Sequence, residues 1–232
     1  MGRTRREFLA TCGAGAALWA GSRLIPREIL VSPLEAEEIP PDRVRELAAF
    51  ALDRAKKAGA TYADIRINRY RTQLVTLRSQ PDFASGALNH VPSINETGTF
   101  GFGVRVIAAG AWGFSGRHLV TKDAVAAAVK EAVAIARADA PLRREPVRLA
   151  KVGAFTDAYR TPVKQDPFAV TVGDKLEFLR GLNSEIKKVD EIFSANGTIA
   201  LRRESRFFAS SEGSRIEQEV VHTSSELTAT AV

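Results

Sequence analysis

Residues 98–116 read GTFGFGVRVIAAGAWGFSG, and the fold turns on how this stretch is paired. Phe100, Phe102, Val104 and Val106 alternate with Gly101, Gly103 and Arg105, the period of two expected of a half-buried strand. Ala109-Gly110 supplies a residue that tolerates positive φ, so the chain can turn back. Ala111 to Phe114 then begins a return strand. Glycine weakens a strand interior, yet it stands here at 98, 101, 103, 113 and 116. Such density implies close approach of another backbone or of packed aromatics such as Phe102 and Trp112. The hairpin is therefore either a tightly packed core element or the wall of a groove. No helix follows directly on these glycines, so the spacing is not that of a nucleotide-binding loop.

On the amino-terminal side, Pro40-Pro41 can open a helix running from Ile39 to Ala58. Val44, Leu47, Ala48, Ala51, Leu52 and Ala55 make one apolar face, and Gly59 stops it. Ala60 to Arg69 and Gln73 to Arg78 read as two strands. Ser79 to Thr97 is polar, holds Pro81, Pro92 and Gly86, and reads as a long loop carrying His90. On the other side, Thr121 can cap a helix to about Ala138, with Val125, Ala128, Val129, Ala132, Val133 and Ala136 as its packing face.

Pro141, Pro146, Pro162 and Pro167 interrupt regular structure, which marks 141–170 as a linker. Val172 to Val189 reads as a third helix. Five short strands follow, at Ile192 to Ala195, Thr198 to Arg203, Arg206 to Ser210, Arg215 to His222 and Leu227 to Val232. The expected class is α+β. A helix-covered antiparallel or mixed sheet at 37–140 is followed by a strand-rich second domain at 171–232, and that second sheet is expected to be incomplete.

Residues 1–36 form a targeting segment. Arg5 and Arg6, with Phe8 and Leu9 at the right offset, match the twin-arginine export signature. The apolar run from Leu9 to Ala20 is too short and too rich in Gly and Ala for a stable membrane span. Export through the twin-arginine translocase to a periplasmic or extracytoplasmic location is expected, with an uncleaved amino-terminal anchor as the alternative. Cys12 is the only cysteine, so neither an intrachain disulfide nor a Cys-rich zinc module can form.

The net charge is +6, but five of 33 basic and three of 27 acidic residues lie in 1–36. The remaining 28 and 24 leave +4. The basic residues are dispersed in sequence, and Arg202-Arg203 sits beside Glu204. A nucleic-acid surface needs them clustered on one face, so no nucleic-acid partner is expected.

Three stretches resemble the TldD/PmbA family of metallopeptidases, together spanning about residues 41 to 232. GVRVIAAGAWGFSG, followed by a spacer and an Ala/Val-rich helix, is similar to the family's first domain. So is the order helix, glycine, ATYADIRI. FFASSEGSRIEQEV is similar to a strand–turn–strand of its second domain. The resemblance implies a zinc peptidase acting on extended or unfolded peptides, and a homodimer or a heterodimer with a family paralogue. It also implies a helix bearing His-Glu-x-x-x-His, in which two histidines hold the metal and the glutamate serves as general base.

That motif is absent from this chain. Its histidines are His90, His118 and His222, none followed by Glu. Ser115 in GFSG lacks the outer glycine of a nucleophile elbow. Asp64 and Glu204 are single carboxylates beside basic residues and read as surface charges, and Asp123 as a first-turn helix charge. No catalytic or metal-ligating residue is assigned, and no cofactor is expected in this chain, zinc being that of the full-length family. The chain reads as the amino-terminal portion of an exported peptidase. The alternative is a non-catalytic partner subunit or peptide-binding module of the same family.

Overall fold

The computed structural model describes residues 39–231. Twin-arginine residues Arg5, Arg6, Phe8 and Leu9, and Cys12, lie outside them. Helix α1 spans Pro41–Lys57, α2 Lys122–Asp139 and α3 Val172–Ile186. The strands are β1 Tyr62–Pro81, β2 Leu88–Ala108, β3 Ala111–Arg117, β4 Thr156–Arg160, β5 Ile192–Ser210 and β6 Arg215–Ala231. They form a mixed six-stranded sheet in the order β3-β2-β1-β5-β6-β4, in which only β4 pairs in parallel, with β6.

The central hairpin forms as its alternation requires. Val106 lies opposite Gly113 and Ala108 opposite Ala111 across β2 and β3. Ala109 (φ 50°) and Gly110 (φ 78°) make the reversal. The glycines answer to packing. A Cβ on Gly113 would lie 1.8 Å from the carbonyl oxygen of Ala132, so α2 rests directly on the strand there. On the opposite face, a Cβ on Gly103 would meet the Phe114 ring at 2.8 Å. Helix α2 is capped by Thr121, whose side chain accepts from the Ala124 amide, and Asp123 sits in its first turn.

The sheet has two unlike faces. Helices α1 and α2 bury Ala63, Ile65 and Ile67 of β1 with Phe102, Val104 and Val106 of β2 and Phe207 of β5. Further along the same face, α3 covers Val75 and Leu77 through Leu179. Asn183 of α3 is fully buried, and its Nδ2 donates to the Leu77 carbonyl at 2.8 Å and to Ser79 Oγ at 2.9 Å. No described helix covers the other face.

Several expectations are corrected. The two strands expected within 60–78 are one, because Arg69 and Arg71 occupy inward positions between the two apolar cores and break the pattern. The three strands expected within 192–210 are the single β5, since inward Arg203 interrupts the pattern as Arg69 and Arg71 do, and Asn196-Gly197, which reads as a turn, stays paired with β1. The long loop expected at Ser79–Thr97 is a short turn between Pro81 and Leu88, tightened by Asp82, whose Oδ1 accepts from the amides of Ala84 and Ser85. The rest of it pairs with β1, from Leu88↔Pro81 onward. Helix α3 ends at Ile186, three residues early. Asp64 and Glu204 are buried, not surface charges. Strands before and after 141–170 share one sheet, β1 pairing with β5 from Asp64↔Ser210 to Ser79↔Ala195.

Candidate functional site

Two long strand edges are open among the described residues. Short β3 pairs only with Phe102–Ala108, so β2 is bare on its outer side from Leu88 to Gly101. On the far side β4 pairs with Arg215–Glu219, and Thr161 Oγ1 accepts from the Val221 amide. Beyond that, β6 is bare from His222 to Ala231. Such an edge offers rows of N–H and C=O groups to an extended chain. Pro92 removes one donor from the β2 edge, whereas the β6 edge carries no proline. A groove of 480 Å³ runs beside the β6 edge on the helix side, with Ile199 and Leu201 at its floor, Lys175 and Phe178 on α3, and Thr223 on β6.

Between the two apolar cores lies a polar seam. Arg71 donates to Glu96 through Nε at 2.7 Å and pairs with it through Nη2 at 2.6 Å. Arg203 Nη2 donates to Asp166 at 2.6 Å. The Phe168 ring is flanked by both guanidiniums, 4.6 Å from Arg71 and 4.9 Å from Arg203. Lys175, almost wholly buried, donates to Gln73 Oε1 at 2.5 Å. Burial lowers the Lys175 pKa, an effect Glu96 partly opposes. The Arg203 hydrogen bond and the Phe168 amide hold Asp166 below the usual carboxylate range. Burial pushes Glu96 upward, but its bonds to Gln73 and Arg71 outweigh that, and it too is lowered.

On the helix-free face, Arg105 donates to Asp64 through Nε at 2.9 and 3.2 Å, with Nη2 at 2.7 Å. The Tyr62 hydroxyl donates to Asp64 at 3.0 Å, and burial with the nearby Asp64 charge pushes its pKa up to about 12. Glu204 is gripped by Arg202 at 2.6 Å and by Arg206.

The structure does not bring the histidines together. His90 lies on β2, its Nδ1 2.8 Å from Ser79 Oγ. His118 follows β3, and His222 lies on β6 opposite Arg202. Among the described residues no three His, Cys, Asp or Glu side chains converge, so the side chains present do not fit a zinc site. Ser115 Oγ donates to Glu131 at 2.6 Å, and Arg117 bonds to both, a cluster with no histidine base. The sequence left the seam and the buried carboxylates unread; Arg69 and Arg71 interrupting an apolar alternation were the available signal.

Residues 63–136 match a family model described as PmbA/TldA metallopeptidase domain 1. No curated protein matches the sequence. Solved structures do match the fold. One is a proposed modulator of DNA gyrase from Bacteroides thetaiotaomicron, with a TM-score of 0.61 and 16% identity over 84% of this chain and 42% of that one. Another is a proposed modulator of a DNA gyrase from Thermotoga maritima, with a TM-score of 0.52 and 13% identity over 81% of this chain and 43% of that one. The chain thus spans less than half the length of these relatives. At such identities the structures speak for the fold alone. The match at 63–136, which contains the α2-backed hairpin, is to the first domain of that family and agrees with the TldD/PmbA resemblance read from the sequence.

Proposed function

We propose that this chain is the peptide-holding, amino-terminal portion of an exported TldD/PmbA-type metallopeptidase that acts on extended or unfolded peptides. The observation that carries this reading is the match of residues 63–136 to the first domain of a metallopeptidase family. The bare β6 edge beside an apolar groove agrees with it, since an extended peptide adds to such an edge by main-chain hydrogen bonds and seats alternate side chains in the groove. Hydrolysis would fall to a zinc-binding helix beyond these residues, in the same polypeptide or in a paralogous subunit of a dimer.

The test begins with the reading frame around codon 232. An in-frame His-Glu-x-x-x-His downstream, and peptide cleavage by the complete product that a chelator abolishes, is the expected result. A complete product that contains the motif yet leaves unfolded peptides intact would overturn the reading. Export is tested separately. Replacing Arg5 and Arg6 together by lysine should leave the protein in the cytoplasm, and normal export of that variant would remove the twin-arginine assignment.

A further inference from the structure

Arginines that are scattered in sequence meet on the helix-free face of the sheet. Arg66 and Asp64 share that face of β1, Arg105 lies on β2 opposite Asp64, and Arg202, Glu204 and Arg206 follow at every second position of β5. Asp64 and Glu204 are 0% and 5% exposed, while the side chains of Arg66, Arg202 and Arg206 are 51%, 53% and 44% exposed. The carboxylates therefore lie underneath and the guanidiniums on top. Four guanidiniums stand over two carboxylates. Arg66 is 3.8 Å from Asp64, which Arg105 already grips with two nitrogens. A guanidinium has five N–H donors in a fixed fork, so those that hold a buried carboxylate from above still present donors outward.

From this layering we infer that the helix-free face is a docking surface for an acidic polypeptide segment. Charge complementarity selects the partner, because the surplus is positive and planar forks match carboxylates in two-pronged bonds. Side chains on one face of an extended strand recur about every 6.6–6.8 Å. Acidic residues at alternate positions of an extended segment would thus match the period of β5 itself. A single-stranded nucleic acid fits less well, since it needs open aromatic faces on which bases stack. Here Arg66 covers Phe208 at 5.6 Å, Arg105 covers Trp112 at 5.4 Å, and Arg202 covers Tyr70 at 5.3 Å, which leaves Phe114 as a single open ring beside Arg105 and not a run of stacking platforms. This surface lies on the opposite face of the sheet from the groove beside β6, and it does not depend on peptide hydrolysis.

The experiment measures fluorescence anisotropy of labelled (Glu-Gly)5, (Gln-Gly)5 and a twenty-nucleotide oligothymidylate with the 232-residue chain at low salt. Two variants accompany it, each checked for folding by circular dichroism. Arg66→Gln leaves Asp64 paired with Arg105. The triple variant Arg202→Gln, Glu204→Gln, Arg206→Gln removes a carboxylate with its guanidiniums, so no buried charge is stranded. The expected result is binding of the acidic peptide at least tenfold tighter than its glutamine counterpart, weakening with salt and falling severalfold or more in each folded variant. Equal binding of the two peptides, undiminished binding by Arg66→Gln, or tighter binding of oligothymidylate than of the acidic peptide would each overturn the inference.

Discussion

Arg105 Nη2 lies 2.7 Å from Asp64 Oδ2, and this pair closes over a carboxylate that has no contact with solvent although no helix covers it. The two residues face each other across β1 and β2, directly in register. The strand register alone therefore brings the guanidinium to the carboxylate. Removing one partner of a buried pair strands the other. Arg105→Ala should destabilise the protein by about 3–5 kcal/mol. Asp64→Asn should cost less, since the amide can still accept from Tyr62. Urea unfolding of both variants checks the order, and equal or reversed costs would refute it.

Asn183→Leu tests the junction of α3 with β1. The Asn183 amide serves the Leu77 carbonyl and Ser79 Oγ, both in the interior. Leucine takes the Asn183 donor from the Leu77 carbonyl and from Ser79 Oγ, which keeps only His90 Nδ1, at about 1–3 kcal/mol. Thermal unfolding should show the loss. Hydrogen exchange should show it first near Val75 and Leu77, with the hairpin protected as before.

Gly113→Ala and Gly103→Ala separate two kinds of tight glycine. At Gly113 the added methyl would strike the backbone of α2, which cannot yield without moving the helix. At Gly103 it meets Phe114, a half-exposed ring that can swing aside. Overpacking costs typically about 1–3 kcal/mol and sometimes more. Gly113→Ala should lie at or above that range and Gly103→Ala below it, as read from denaturation midpoints.

Acid should loosen the seam. Asp166 and Glu96 both have lowered pKa values in the folded protein. Their contribution is complete above the unfolded values, about 3.9 for Asp and 4.3 for Glu, and is lost as pH falls through the folded ones. Lys175 runs with the opposite charge and the same slope. Its lowered pKa means the unfolded chain binds its proton more readily, so stability rises as pH climbs toward about 10.4. Stability measured against pH should thus fall below about pH 4. Asp166→Asn should flatten that acid limb only in part, because Glu96 and Asp166 share it. An unchanged acid limb in the double variant Asp166→Asn, Glu96→Gln would contradict this account.

The β6 edge should be the least protected part of the sheet. Its outer side is bare from His222, and its residues from His222 to Ala231 are exposed. Amides of Val104, Val106 and Ile67, held between paired strands and under two helices, should exchange by global opening only. Those of His222–Ala231 that point outward should exchange orders of magnitude faster. Slow exchange throughout β6 in a sedimenting monomer would count against an open edge.

Local chemistry by itself determined the hairpin at 98–116, the α2 cap at Thr121, the apolar faces of α1 and α2, and hence the α+β class. Each depends on residues a few positions apart, where alternation and capping are readable. Tertiary structure alone decided the lengths of β1 and β5. Their inward positions carry Arg69, Arg71 and Arg203 where two helix-covered cores meet, and a charge there looks like the end of a strand. It also decided that Leu88–Thr97 is strand, since this mostly exposed edge has no apolar alternation to betray it. The burial of Asp64 and Glu204 was beyond reach for a different reason. Asp64 is buried by Arg105 from 41 residues away, which only the pairing of distant strands brings to it, whereas Glu204 meets Arg202 and Arg206 of its own strand, a pairing local alternation allows once β5 is known to run unbroken.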